Sequence, residues 1–356
     1  MTVFQPKIRS TTCSGIGQAG FGMLEVMVSL FISMVMVGAL FVSLQGLRTS
    51  SVLTNNVNYV NDAGRFVVYN LAQNLRLAGY WGINIEPSTI SHDNTAALTH
   101  DCSVAGWATN IEVPIQVLDD STITNSNLPG CISSSNYQDG TDILIIRYAG
   151  SPLQSESQIA AKGVYLHLGM TQGKIFQAEN AGNLNSGAVF TEAPDTIIYP
   201  FETVIYYISK CSAQNCTSDS DDGSPIPSLY QVSFDGDKMK STLIAEYVEE
   251  LQVRIGLDTD GDGTVDALRR ADQVADWSEA VSTEVGVLVR SPFSDDEYSD
   301  NVDGRKDVFN DNKRGSYTIG GKTVVKSDHY RREAFSTVVF MRNDNADLSV
   351  STEPSE

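Results

Sequence analysis

From Phe21 to Leu44 the chain is almost wholly apolar, with Glu25 its single formal charge and no proline. Such a run reads as one helix of about 24 residues, and at about 1.5 Å per residue it covers roughly 36 Å, enough to cross a hydrocarbon core of about 30 Å. Past Leu44 the apolar positions thin to one face, with Leu53, Val57, Val60, Val67, Leu71, Leu75 and Ala78 at steps of three, four or seven. Asn55, Asn58, Asp62, Gln73 and Arg76 fill the opposite side, the pattern of an amphipathic helix packed on a sheet. No proline occurs between Pro6 and Pro87, and Gly79 is placed as a stop, so the spacing predicts one helix from Phe21 to about Ala78, with Gly38, Gly46 and Gly64 as soft points.

After Gly79-Tyr80-Trp81-Gly82 the period changes. A polar, turn-rich stretch runs to about Gly140, and strands are expected at Asp142–Tyr148, Val164–Leu168, Thr196–Ser209, Leu229–Phe234, Val248–Leu257, Ser282–Arg290 and Ala334–Met341. Short strands without intervening helical patterns predict an α+β fold: a long N-terminal helix, its first half membrane-spanning, packed on an antiparallel β-sheet head. The expected divisions are 21–44 for the span, 45–79 for the amphipathic half, 80–342 for the β-rich head and 343–356 for an acidic, frayed tail.

The 356 residues carry a formal net charge of −20. That charge repels phosphate backbones and argues against direct nucleic-acid binding. Lys7 and Arg9 lie just before the apolar run, which by the positive-inside rule holds the amino terminus in the cytoplasm and exports the head. Cys13 precedes the run; the other four cysteines, Cys102, Cys131, Cys211 and Cys216, would stand in a compartment that permits disulfides. The short separation favours Cys211 with Cys216 and leaves Cys102 with Cys131. A zinc site would want tighter Cys or Cys/His pairs, and His92, His100, His167 and His329 are scattered.

The densest chemical signal in the head is Asp258-Thr259-Asp260-Gly261-Asp262-Gly263-Thr264-Val265-Asp266. Carboxylates at alternating positions repel one another unless a cation sits among them. The order suits calcium, with Asp258, Asp260 and Asp262 at loop positions one, three and five, Gly263 at the sharp turn, the Thr264 carbonyl at seven and Asp266 at nine. Arg269 stands where an EF-hand places its bidentate Glu, so modest affinity is expected; the alternative is a solvated acidic turn. Gly15 to Gly20 match G-x-G-x-x-G, but neither a preceding apolar strand nor a βαβ unit surrounds them. Between Ser291 and Arg332 acidic residues give way to basic ones, which reads as mutual neutralisation on a long surface loop before the last strand, ahead of a partner- or DNA-binding patch. G-x-S-x-G, H-E-x-x-H and P-loop motifs are absent, so the chain is not expected to be an enzyme.

A carboxylate inside an apolar span is costly and calls for a cation. Gly20, Phe21 and Glu25, after a short basic leader, resemble the class III signal of type IV pilins. The resemblance implies cleavage after Gly20 by a prepilin peptidase, leaving 1–20 as leader, N-methylation of Phe21, and pairing of Glu25 with the amino terminus of an adjacent subunit. Leu71-Ala72-Gln73-Asn74-Leu75-Arg76-Leu77-Ala78-Gly79-Tyr80-Trp81-Gly82, Leu251 to Asp258, and Phe340-Met341-Arg342-Asn343 are similar to PilW-type minor pilins. That likeness implies an inner-membrane protein that joins other minor and major pilins to prime or cap a type IV pilus and can seat a tip adhesin. A type II secretion pseudopilin and a calcium-dependent binding module at the pilus tip are the alternatives.

Overall fold

The computed structural model describes residues 22–83, 87–92, 102, 106–124, 127–184, 195–236, 238–295 and 315–341. The leader with its glycine motif, Gly20, Phe21, most of the acidic part of the charge run and the tail from 343 lie outside the described residues. The chain divides into two units, 1–54 and 55–356. One long helix, α1 (Met23–Leu77), contributes residues to both.

In the first unit every described residue is exposed, large apolar side chains such as Met23, Leu24 and Phe31 included. Some hydroxyls there bond to the helix itself: the Ser29 hydroxyl donates to the Glu25 carbonyl and the Ser33 hydroxyl to the Ser29 carbonyl, both at 2.7 Å. The helix is long and apolar enough to cross a membrane.

In the second unit α1 buries Asn56, Val60, Gly64, Val67, Val68, Leu71, Ala72 and Leu75, a stripe at helical spacing. The stripe packs between two sheets in one core. The larger sheet holds β1 (Ile90–His92), β2 (Ile115–Leu118), β3 (Ile143–Ala149), β4 (Val164–Leu168), β5 (Gly173–Gln177), β6 (Ile197–Ser209), β7 (Ser228–Asp235) and β8 (Lys238–Glu246). Its order is β1-β5-β4-β6-β3-β2, with β7 on β6 and β8 on β7; β1 and β5 run parallel and the other pairs antiparallel. The smaller sheet holds β9 (Val248–Leu257), β10 (Ala267–Arg270), β11 (Ala280–Arg290) and β14 (Arg332–Phe340) in the order β10-β9-β11-β14. The α+β architecture is as the pattern predicts, with one parallel pair added.

The continuous apolar run of β3 has a physical reason: both faces are buried. Leu144 and Ile146 join the helix core, while Ile143 and Ile145 join a second cluster with Tyr207, Tyr230 and Cys102. The turn-rich stretch before Gly140 thus supplies the cover for the outer face, and the Cys102–Cys131 disulfide ties it down. Cys211 pairs with Cys216, completing the pairing that the separations favour.

Two expectations are corrected. The stretch from Ser291 to Arg332 is not one long loop: β12 (Ser316–Ile319) and β13 (Lys322–Val325) form a hairpin within it, turned at Gly320-Gly321, both at positive φ. The turn lies on the smaller sheet, where a Cβ on Gly286 would come 2.6 Å from Ile319 and a Cβ on Gly320 would come 2.6 Å from Gln252. Gly64 is not a soft point; α1 passes through it as regular helix, and the Phe335 ring of β14 fills the space a Cβ there would take. Strands β1, β2, β5, β8, β10, β12 and β13 are found in addition to those expected.

Candidate functional site

Two of the described places carry chemistry anticipated from sequence, and a third was not anticipated. Glu25 stands in the first turn of α1, with no cationic partner among the described residues. Gly20 and Phe21, the expected processing pair, lie outside those residues.

The acidic segment is the connection between β9 and β10, closed at its base by the Asp266 amide donating to the Leu257 carbonyl at 2.8 Å. Asp258 accepts from the amides of Gly261 (2.8 Å), Asp262 (3.2 Å) and Gly263 (2.7 Å), so one carboxylate gathers the turn around itself. Gly261 and Gly263 are at positive φ, which a side chain would resist. Asp258, Asp260 and Asp262 each bring a carboxylate oxygen within 4.8 Å of one another. Thr264 turns its amide and hydroxyl onto Asp262 Oδ1, at 2.8 and 2.6 Å. Asp266 accepts from the Thr259 amide and hydroxyl, both at 2.8 Å, and these bonds hold its carboxyl below the usual range. Three of the four predicted carboxylates therefore converge, Asp258 half-buried and Asp260 and Asp262 exposed, in the oxygen-rich setting a hard cation requires, and the fourth braces the loop.

The unanticipated feature is a partly buried network of charges linking the two sheets. Arg270 of β10 donates to Asp119 Oδ1 at 2.7 Å and to Oδ2 at 3.2 Å, and also reaches Asp120. Lys322 of β13 meets Asp120 Oδ2 at 2.5 Å and Glu250 Oε2 at 3.8 Å. Lys326 lies 3.7 Å from Glu250 and 3.5 Å from Glu249, and Arg332 grips Glu249 with both arms at 2.7 and 3.0 Å while holding Asp328 at 2.6 Å. Neutralisation of the basic residues near the last strand is real, but with carboxylates drawn largely from β9 and the segment after β2. Arg331 pairs nearer home, with Asp295 at 2.8 Å.

Burial opposes ionisation of Asp119, Glu249 and Glu250, and partners decide the outcome. For Asp119 the bonds from Arg270 and Ser121 overcome burial and lower its pKa to about 2. For Glu249 the Arg332 bonds likewise overcome burial, whereas for Glu250 burial wins and the carboxyl is raised. Asp142 is buried beside Asp119 and Asp120 and is pushed up to about 7, although it accepts from the amides of Val253 (2.7 Å) and Asp120 (2.9 Å).

Arg147 of β3 is fully buried, with no carboxylate partner among the described residues. Its guanidinium donates to the carbonyls of Val113 (2.7 Å) and Trp107 (3.0 Å) and to Gln116 Oε1 (3.1 Å), with the Trp107 ring 5.1 Å away. Burial lowers its pKa to about 10. It thereby fixes one wall of a cavity of about 590 Å³ lined by Trp107, Val113, Pro114, Ile255, Trp277 and Met341.

A long apolar helix joined to a two-sheet α+β head is the architecture of pilin-like proteins. A family model described as Type IV Pilus-assembly protein W matches residues 205–343, which run from within β6 to just past β14. The match covers under half of the chain and supports a type IV pilus-related protein with a role in pilus assembly. Two of the three stretches that resemble PilW, at Leu251–Asp258 and Phe340–Asn343, lie inside it. No curated protein and no solved structure matches the chain.

The raised carboxyls set a pH dependence. A carboxyl whose folded pKa exceeds its unfolded value of about 3.9 leaves the folded state more protonated, so stability falls as pH rises through that window. Asp142 contributes up to about 4 kcal/mol of this fall between about pH 4 and its folded pKa of about 7, at about 1.4 kcal/mol per unit, with Glu202 and Glu250 acting in the same direction. Asp119 acts oppositely, and its stabilisation is lost only as pH drops from about 4 through about 2. The thermal midpoint of the purified chain is expected to decline from pH 4 to pH 7, and Asp142→Asn to flatten that slope; an equal slope in the variant would refute the assignment.

Proposed function

We propose that the chain is a minor pilin: cleaved after Gly20 by a prepilin peptidase, N-methylated at Phe21, and joined to other minor and major pilins to prime or cap a type IV pilus. The family match over 205–343, in one chain with an apolar helix able to cross a membrane, supports this reading. Physically, the exposed apolar side chains of α1 exchange lipid for neighbouring helices during assembly. Glu25 sets the register by meeting a neighbour's amino terminus, since a carboxylate in that setting is costly until paired. The inner membrane holds the chain before assembly, the head is exported, and in the fibre it can seat a tip adhesin. The role is structural, not enzymatic.

Deleting the gene for this chain is expected to abolish surface fibres and twitching while leaving exoprotein secretion intact. Lost secretion with normal fibres would instead identify a type II secretion pseudopilin.

For the β9–β10 connection we propose a calcium ion held by Asp258, Asp260 and Asp262, with the Thr264 carbonyl and Asp266 in support. The converging carboxylate oxygens fit a hard cation. Terbium luminescence or calorimetry should register binding at modest affinity, lost in the Asp260→Ala, Asp262→Ala double variant; identical titrations of the two proteins would remove the ion from the account.

A further inference from the structure

The open strands of the two sheets differ in how they are guarded. Sheet edges expose rows of amide and carbonyl groups that template pairing with another chain, and proteins blunt them with short length, charge or cover. Among the described residues β1 has three residues and β2 and β10 four each, with Arg269 and Arg270 on β10. At β8 the guards are Lys238, Lys240 and Glu246, and the Tyr59 hydroxyl donates to the Glu246 carbonyl at 3.2 Å. Strand β14 has nine residues, and its charges, Arg332 and Glu333, are confined to its first two positions. From Ala334 to Phe340 there is no charge, no proline and no glycine.

Its register shows which groups are open. The Ser291 amide donates to the Arg331 carbonyl and the Met341 amide to the Val281 carbonyl, and β11 pairs with β14 without a shift between them. In an antiparallel ladder hydrogen-bonded pairs alternate with unbonded ones, so residues 333, 335, 337 and 339 bond to β11. The amides and carbonyls of Ala334, Ser336, Val338 and Phe340 therefore point away from the sheet, unpaired among the described residues. Their side chains are exposed too, Val338 to 50% and Phe340 to 56%. Phe335 against Gly64 and buried Val339 pin the opposite face, so the edge is held rigid.

We infer that β14 is a docking edge on which an extended segment of another pilus subunit adds a strand, with apolar side chains at alternate positions over Val338 and Phe340. This rests on the pilus-assembly reading. Charge decides against a second copy as occupant: the chain carries −20, and a two-fold antiparallel pairing about Ser336 would set Arg332 opposite Phe340 and Glu333 opposite Val339. A neutral or basic segment fits the acidic chain better.

The test exploits the register. Proline at 336 removes an amide that faces outward and costs no bond to β11, the position at which an edge strand tolerates it. A photo-crosslinking phenylalanine analogue at 340 in the full-length chain, expressed in cells that assemble fibres, is expected to yield an adduct to an extended segment of another pilus subunit. Ser336→Pro, and separately Val338→Lys, should lower that adduct and incorporation into fibres by about tenfold or more, with both disulfides formed and the thermal midpoint near wild type. An adduct to residues 296–314 of the same chain, an adduct to a second copy, or folded Ser336→Pro assembling at the wild-type level would overturn the inference. If the unaltered chain proves dispensable for fibres, the pilus-assembly reading falls and takes this one with it; if the chain is required and only the edge variants assemble normally, this inference falls alone.

Discussion

The first unit depends on one constraint: the apolar surface of α1 before Thr54 has no protein cover. Met23, Leu24, Phe31, Met34 and Phe41 are all well over half exposed. Each such side chain gains roughly 1.5–3 kcal/mol on leaving water, so the segment is stable only in lipid or against other helices. The same property serves both settings, as the proposed passage from membrane to fibre requires. Ser29 and Ser33 do not disturb it, because their hydroxyls are bonded to the helix's own carbonyls.

In the second unit the same helix is covered, and its cover is unusual in being partly ionic at the margins. Val60, Val67, Leu71 and Leu75 face side chains of both sheets, and polar residues on the helix add direction to that burial. Asn74 donates to the Tyr206 hydroxyl at 2.6 Å and accepts from Tyr148 at 2.9 Å, while Asn56 and the Phe293 main chain exchange bonds. Around this core the Asp119–Arg270 and Glu249–Arg332 pairs fasten strands distant in sequence. Such buried pairs add little net stability over an apolar substitute, yet breaking one partner is costly, so they specify which strands meet.

Much of this was legible in the sequence. Helix α1 announced itself through a long apolar run with one charge and then a clean 3.6 period, and β4 and β9 fall on their expected bounds because turn residues flank an apolar segment. The disulfides followed from separation alone. Strands β2 and β10 were not legible, since four residues carry too little periodicity and exist by virtue of their partners. The β12–β13 hairpin was masked by the charges of Lys322 and Lys326, whose carboxylate partners lie far away in the chain. In the acidic connection the alternation of Asp258, Asp260 and Asp262 foretold their convergence; that Asp266 turns to Thr259 could not be read from spacing.

Entry of the first residues of α1 into a fibre requires the proposed release of the apolar helix from its leader. Amino-terminal mass spectrometry of the chain recovered from sheared fibres tests this directly. The expected result is a polypeptide beginning at Phe21 with a methylated amine; a chain that retains residues 1–20, or its absence from the fibre fraction, would contradict the account.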